Sequence, residues 1–363
     1  MAARSGSAIV ALRQLLRPPS PSSQRPRPSS WLSFLRRELI SRRLPLLYDN
    51  PIPLPSYLLT STLADFLPPS DTPIPDVPPD NDGQEVLRPA HNLIYFPPFT
   101  PLSSLLPDGT DPNQSPGDPF VRRMWAGGRI LFSPNKNPPL PLRGERSVCL
   151  EAIRDVKIKG REGEEKVFVE IERRISSMEA IKHERDEDQI RKALYREDAA
   201  DPGPCAVVEN RTIVFMRERS PALAADAAKG NDDKIVKAAH APTFSHTLRP
   251  TAALLFRYSA LTFNAHSIHL DRLYCREVEG HRNLLVHGPL SLTLIVELLG
   301  RYVAREGGPK AMVQEIEYRN LAPLYAEEAM TVCGREGKES GDWEVWIEGR
   351  GGGLAVRGVA RTG

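Results

Sequence analysis

The chain has 363 residues, 40% of them hydrophobic, which is enough to bury a sizeable core in two domains or one large one. Its 48 basic and 46 acidic residues leave a net charge of only +2, so no overall field favours nucleic acid or an anionic membrane. The four cysteines, Cys149, Cys205, Cys275 and Cys333, lie far apart without a CxxC pair, which excludes a structural zinc motif or a disulfide framework as the organising device. They read as reduced thiols packed mostly in strands, with Cys275 nearest to the histidine-rich stretch that begins at His266.

Residues 1–43 contain nine arginines and one acidic residue, Glu38, with several serines and no long apolar run. Arg-rich, Ser-rich and acid-poor composition is that of a mitochondrial transit peptide, and Ala2 to Arg17 fits a basic amphipathic helix. Nothing in the chain reaches the ~20 apolar residues of a membrane span. Proline dominates the next part of the chain, with 27 of 35 prolines before residue 142. Because proline fixes φ and removes a donor, residues 44–118 are expected to be irregular apart from short helical turns such as Tyr57 to Phe66. Within them, Asp71 to Glu85 and Leu106 to Asp118 read as mobile surface excursions, while His91 to Phe96 has the apolar content to pack inward.

From residue 119 to 217 the pattern becomes strand-like. Arg129 to Ser133, Ser147 to Lys159, Lys166 to Ser176 and Cys205 to Arg217 are β-branched or alternating runs separated by turns, as an antiparallel sheet requires. His183 to Arg196 is a charge run expected on a solvated loop or helix face. Residues 218–242, rich in Ala, Lys and Asp, read as a linker. Residues 243–363 open with a helix over Thr251 to Leu261 and close with strands at Met312 to Arg319, Met330 to Gly334, Trp343 to Glu348 and Leu354 to Ala360. Over Met312 to Arg319 alternate residues suit a sheet with one wet face.

The chemistry concentrates between Phe256 and Tyr302, where four of the eight histidines fall within 22 residues. Asn264, His266 and His269 sit on a short non-periodic stretch. Twenty residues on, His287-Gly288-Pro289 marks a helix start, since proline favours the first turn. The run LSLTLIVELLGRY after it is apolar on most faces and so suits an enclosed helix. Such a helix needs partners for its N-terminal amides, and the Gly288 N–H, free of a side chain, is the natural donor. Glu297, inside this helix, demands a partner such as an Arg.

An imidazole able to exchange protons beside a donor able to hold a developing oxyanion can add water across the double bond of an enoyl thioester, or run the reverse dehydration. The same pair serves thioester hydrolysis equally well.

NAHSIH followed by LLVHGPL resembles the active-site region of the MaoC-like (R)-specific enoyl hydratases, whose signature is Asp-x-Asn-Pro-x-His with a downstream His-Gly turn into the central hot-dog helix. PFVRRMWAGGRILF, residues 119–132, resembles the opening of the N-terminal half in one branch of that superfamily. That branch holds fungal mitochondrial 3-hydroxyacyl-thioester dehydratases and bacterial mesaconyl-CoA hydratases. The resemblance covers roughly residues 85–360. It implies an α+β, double hot-dog fold: an antiparallel sheet wrapped around a central helix, with the Pro-rich region as an N-terminal extension. A degenerate unit at 119–217 would receive the acyl chain or pantetheine arm and carry no catalytic duty, its own helix short, altered or supplied from the Pro-rich region. The unit at 243–363 would be catalytic.

Carried onto this chain, the resemblance makes His269 the catalytic histidine and Gly288 the thioester-oxygen donor. Asn264 stands at the family's Asp position, His266 at its Asn and Ser267 at its Pro. A carboxamide cannot accept a proton, so more of the transfer should fall on His269, with Asn264 positioning water or hydroxyl and His266 in reserve. Asp271 could orient His269; Arg257, Tyr258 and His287 are candidate substrate contacts.

These readings converge on a mitochondrial-matrix hydro-lyase of type II fatty acid synthesis that interconverts (R)-3-hydroxyacyl and trans-2-enoyl thioesters. It would take an acyl-carrier-protein or CoA thioester, need no cofactor or metal, and bind neither nucleic acid nor membrane; a homodimer is compatible with it. A hot-dog thioesterase and a non-catalytic acyl-thioester-binding subunit remain the alternatives.

Overall fold

The computed structural model describes residues 28–69, 73–82, 85–133, 137–220, 222, 224, 236–308 and 311–363. The expected amphipathic helix at 2–17 and most of the expected linker lie outside the described residues. The chain divides into two compact units, Met1–Leu35 and Arg36–Gly363. Helix α1 (Pro28–Ser41) begins in the first, whereas the sheet, the remaining helices and the histidine cluster belong to the second.

Among the described residues, ten strands form one antiparallel sheet. The first half is built from β1 (Leu47–Asp49), β2 (Arg122–Phe132), β3 (Ser147–Lys159), β4 (Lys166–Ser177) and β5 (Val207–Met216). The second is built from β6 (Phe244–Leu248), β7 (Val313–Asn320), β8 (Met330–Glu336), β9 (Asp342–Glu348) and β10 (Leu354–Thr362). Their order across the sheet is β1-β3-β4-β5-β2-β7-β10-β9-β8-β6, so β2 and β7 join two five-stranded halves. The architecture is the α+β double hot-dog. Its edges are the two shortest strands, which limits further edge pairing; β1 arises in the Pro-rich region and β6 carries too few apolar residues to show alternation.

The seam depends on glycine. A Cβ on Gly127 would lie 2.3 Å from the Tyr318 carbonyl oxygen across the seam, and one on Gly128 would lie 2.1 Å from that of Asn210. The register against β5 shifts between Trp125 and Gly127, a bulge that re-aims Trp125.

Helix α5 (Gly288–Gly307) crosses the second half, packed against β2, β7, β8 and β9, with ten of its residues buried. In the first half the same face is covered by α2 (Pro53–Leu63) and the 3-10 turn His91–Ile94, both from the Pro-rich region. Leu59, Leu63, Leu93 and Phe96 join Cys149, Ile175 and Val207 of the sheet in one core that continues through Leu292, Ile295 and Leu299 of α5. The opposite face is closed by α3 (Glu187–Leu194), where the expected charge run buries Ile190 and Leu194 against Val148, Leu150 and Val208.

Two expectations change. The partner of Glu297 is His91 rather than an arginine: the His91 Nε2 donates to its Oε1 at 2.9 Å. That bond and neighbouring positive charge outweigh burial and hold the Glu297 carboxyl down to about 2, whereas burial keeps His91 neutral. The alternation expected over Met312 to Arg319 breaks at a bulge facing Arg361/Thr362, which turns Val313 inward and leaves Met312 exposed.

Arg122 of β2 and Glu279, in the turn after the histidine loop, form a 2.7 Å ion pair with both side chains buried. Truncating one member strands the other's charge, so Glu279→Ala should lower unfolding free energy by about 3–5 kcal/mol. Urea denaturation checks this; a loss below about 1 kcal/mol would show the pair to be solvated in practice.

Candidate active site

Helix α4 (Ala252–Leu261) is started by Thr251, whose side chain accepts from the Leu254 N–H. It ends with Phe263 in the left-handed region (φ 52°) and the Asn264 N–H bonded to the Ser259 carbonyl at 2.8 Å, the Schellman pattern with a phenylalanine where glycine is usual. The chain is thereby thrown into the histidine loop. Asn264 Oδ1 accepts from the His266 N–H at 3.0 Å, so half of its carboxamide braces the turn.

His269 closes a single 3-10 turn (Ser267–His269) and is buried. Its Nδ1 lies 2.8 Å from the Leu285 carbonyl oxygen. A carbonyl only accepts, so Nδ1 carries the proton and Nε2 keeps its lone pair. The extended segment 284–286 that supplies this carbonyl is itself clamped: the Leu285 N–H bonds the Ile268 carbonyl at 2.9 Å and the Val286 N–H bonds that of Leu324 at 2.8 Å. Burial pushes His269 down to about 4, leaving it a neutral base at physiological pH.

The His287 ring stacks on that of His269 with centroids 3.6 Å apart, and its Nε2 lies 2.9 Å from Ser259 Oγ. Burial first, then the neighbouring histidines, hold it neutral. His266 stands edge-on to His269 at 5.6 Å and is kept neutral mainly by burial, with His269, Arg123 and His281 adding to it.

His287 is also the N-cap residue of α5, but no side chain caps the helix there. The N–H of Gly288 falls in the first turn, where no helical carbonyl precedes it. Its backbone φ is unremarkable, so glycine is needed here for space: a Cβ would stand 2.8 Å from Asn320 Nδ2 and 2.9 Å from Trp125 Cβ. Asn320 Nδ2 donates to the Trp125 carbonyl at 2.8 Å and the Trp125 indole N–H to Tyr318 Oη at 2.7 Å, which fixes this wall.

A cavity of about 550 Å³ is lined by Asn264, His266, His269, His287 and Gly288 together, and by Trp125 and Arg123 of β2 on the side of the first half. Tyr258 also lines it; its hydroxyl lies 3.2 Å from Thr293 Oγ1, which in turn bonds the Pro289 carbonyl, so it braces the start of α5. Two sequence candidates fall elsewhere. Arg257 is exposed and outside the cavity, because it lies on the outward side of α4 while Tyr258 takes the inward one. Asp271 is exposed and caps the following turn, accepting from the Leu273 and Tyr274 N–H groups at 2.8 and 3.1 Å; Leu285, not Asp271, orients His269. Cys275 is bonded through Sγ to the Ile268 carbonyl and burial pushes its thiol up to about 12, so it is inert support. Among the described residues no three His, Cys, Asp or Glu side chains converge as a metal site.

Asp108, Trp125 and Asn320 were not singled out by the sequence. Trp125 lies inside the PFVRRMWAGG segment, which gave the only signal.

A neutral imidazole with a free lone pair, an uncapped helix start and a largely apolar cavity, set in a double hot-dog, suit an enzyme that acts on acyl thioesters, by hydration or by hydrolysis. Residues 90–326 match the family described as hydroxyacyl-thioester dehydratase type 2, and the chain belongs to it. It is 32% identical over 261 residues to the mesaconyl-C(4)-CoA hydratase of Chloroflexus aurantiacus, covering 71% of this chain and 75% of that one. Against the mitochondrial hydroxyacyl-thioester dehydratase type 2 of Schizosaccharomyces pombe it is 27% identical over 252 residues, 68% of this chain and 77% of the other. In fold it is similar to the MaoC-like dehydratase of Phytophthora capsici, with a TM-score of 0.59, 11% identity and coverage of 90% and 98% of the two chains. Among the described residues no helix is long and apolar enough to cross a membrane.

The expectation that the Gly288 amide binds the thioester oxygen is tested by Gly288→Ala: the added methyl meets Asn320 and Trp125 and shifts the helix start, so kcat for enoyl-thioester turnover should fall by about ten- to a hundredfold. Steady-state kinetics decide this; unchanged kcat would free the Gly288 amide from any role.

His91, His266, His269, His281 and His287 are all depressed by burial. The unfolded chain takes up protons below about pH 6.5 that the fold refuses, so stability is present above that pH and lost as pH falls toward about 4. The slope should approach about 1.4 kcal/mol per pH unit for each histidine. Urea titrations between about pH 7 and 4.5 measure it, and a flat profile would contradict the burial.

Proposed function

We propose that the enzyme interconverts (R)-3-hydroxyacyl and trans-2-enoyl thioesters, with His269 as the base and the Gly288 amide as the oxyanion donor. The supporting observation is the bond from His269 Nδ1 to the Leu285 carbonyl, which leaves Nε2 as the unshared nitrogen of a ring lining the same cavity as the helix start.

In hydration, water oxygen bonds to the β-carbon as its proton passes to His269 Nε2. The electron pair displaced from the double bond becomes an enolate whose oxygen is held by the Gly288 N–H. The proton then moves from Nε2 to the α-carbon, restoring neutral His269 and completing addition. An oxyanion donor of this kind contributes roughly 3–4 kcal/mol to the transition state. Asn264 keeps its Nδ2 for the water or hydroxyl oxygen, its Oδ1 being held by the turn. The apolar cavity wall keeps His269 neutral and so competent as a base.

The thioester would be carried on acyl-carrier protein or CoA, with the reaction serving type II fatty acid synthesis in the mitochondrial matrix, and the protein working as a homodimer. The Schizosaccharomyces pombe relative, mitochondrial by its name, and the Arg-rich, acid-poor first 43 residues support that setting.

His269→Ala should cut hydration of an enoyl thioester at least about a hundredfold, with thermal unfolding preserved. Loss of enoyl absorbance without release of free thiol identifies hydration; thiol release at the same rate would move the enzyme to the thioesterases. Wild-type turnover in the variant would remove His269 from the mechanism.

A further inference from the structure

The turn Leu106–Thr110, which the sequence marks as a surface excursion, is docked against the histidine loop. The Ser267 N–H bonds the Asp108 carbonyl at 2.8 Å, and a Cβ on Gly109 (φ +84°) would lie 2.1 Å from the Ala265 carbonyl oxygen, so only glycine permits this approach. The turn closes on itself through the Gly109 N–H to the Leu106 carbonyl at 2.8 Å and the Leu106 N–H to that of Thr110 at 2.9 Å.

Asp108 is buried there, and its two carboxylate oxygens have different surroundings. Oδ1 accepts from the Thr110 N–H at 3.0 Å and the Thr110 hydroxyl at 2.5 Å, which is all that a local turn requires. Oδ2 faces His266 Nε2 at 3.5 Å, and each of these atoms is buried without another hydrogen-bond partner. Two orphaned buried atoms, one able only to accept and the other able to donate, each bear an uncompensated loss of solvation while apart. A closure of about half an ångström makes them a charge-assisted bond, and such contacts tighten when substrate fills a site.

We infer that Asp108 is a positioning carboxylate for the hydration step: by accepting the Nε2–H of His266 it fixes that ring's tautomer, leaving Nδ1 as an acceptor for the attacking water. The inference rests on the proposed hydration of an enoyl thioester. Water then has an acceptor for each hydrogen. The one given to His269 Nε2 is transferred; the one bonded to His266 Nδ1 stays on the new hydroxyl. Only one proton moves, so His266 remains neutral throughout. The carboxylate that Asn264 lacks is thus supplied from 156 residues earlier in the chain, by a turn rather than by the motif.

The test is Asp108→Asn, a carboxamide of the same shape whose NH2 can donate to Nε2 and favour the opposite tautomer. Expected is a fall in kcat of about ten- to a hundredfold with KM changed less than about threefold. In a His266→Ala background the same substitution should have no further effect. An equal loss in both backgrounds, or a loss confined to KM, would make Asp108 a loop brace only and overturn the inference. Nitrogen-15 spectra of histidine-labelled wild-type enzyme supply the second readout, which holds even if the variant fails to fold. His266 should be protonated at Nε2, and protonation at Nδ1 overturns the inference. His269→Ala separates the two readings. A dead His269→Ala with a fully active Asp108→Asn refutes only the role of Asp108; an active His269→Ala refutes the reaction mechanism itself.

Discussion

One hydrogen bond, from His269 Nδ1 to the Leu285 carbonyl, is the constraint on which the proposed chemistry of this site turns. It decides which ring nitrogen keeps a lone pair, and it does so with a backbone atom that is clamped on both sides, by Ile268 and by Leu324. A side-chain partner could swing away or change protonation state. A carbonyl bound into the chain's own hydrogen-bond lattice can do neither, so the tautomer is built into the fold.

Burial does the complementary work. His266, His269 and His287 crowd together with the rings of the last two in stacking contact, an arrangement that would repel itself if two were charged at once. Desolvation removes the charge and turns a cluster of weak acids into neutral acceptors. The same burial makes an unpaired polar atom costly, and Ser259, Tyr258 and Thr293 are occupied in bracing the helix start. Where a partner is absent, as at His266 Nε2, Asp108 Oδ2, His287 Nδ1 and Asn320 Oδ1, the site retains unspent hydrogen-bonding capacity.

The two halves of the sheet divide the labour unequally. The second half encloses a full helix whose N-terminus reaches the cavity. The first substitutes a short helix and a 3-10 turn drawn from the Pro-rich segment, and the missing helix leaves room for the cavity to extend beneath Tyr95, Phe96 and Ile213. The bulge at Trp125 sits where the halves meet and furnishes the wall behind Gly288. Proline richness, unfavourable for a sheet, serves here as covering for one.

Local pattern was sufficient for most of the elements. β-branched or alternating runs marked β3 and β4, the strands expected at 343–348 and 354–360 fall within β9 and β10, the His-Gly-Pro start marked α5, and the histidine cluster pointed to a loop that lines the cavity. These are properties of neighbouring residues, and the sequence carries them directly. Periodicity could not show the three-residue strand β1, the choice of His91 for Glu297, the outward placement of Arg257 and Asp271, or the docking of Asp108 against His266. Three of those, the pairing of β1, the choice of His91 and the docking of Asp108, depend on segments far apart in the chain meeting in space. Such meetings are decided by packing, by the room a glycine leaves and by which buried polar atom lacks a partner, none of which has a sequence period.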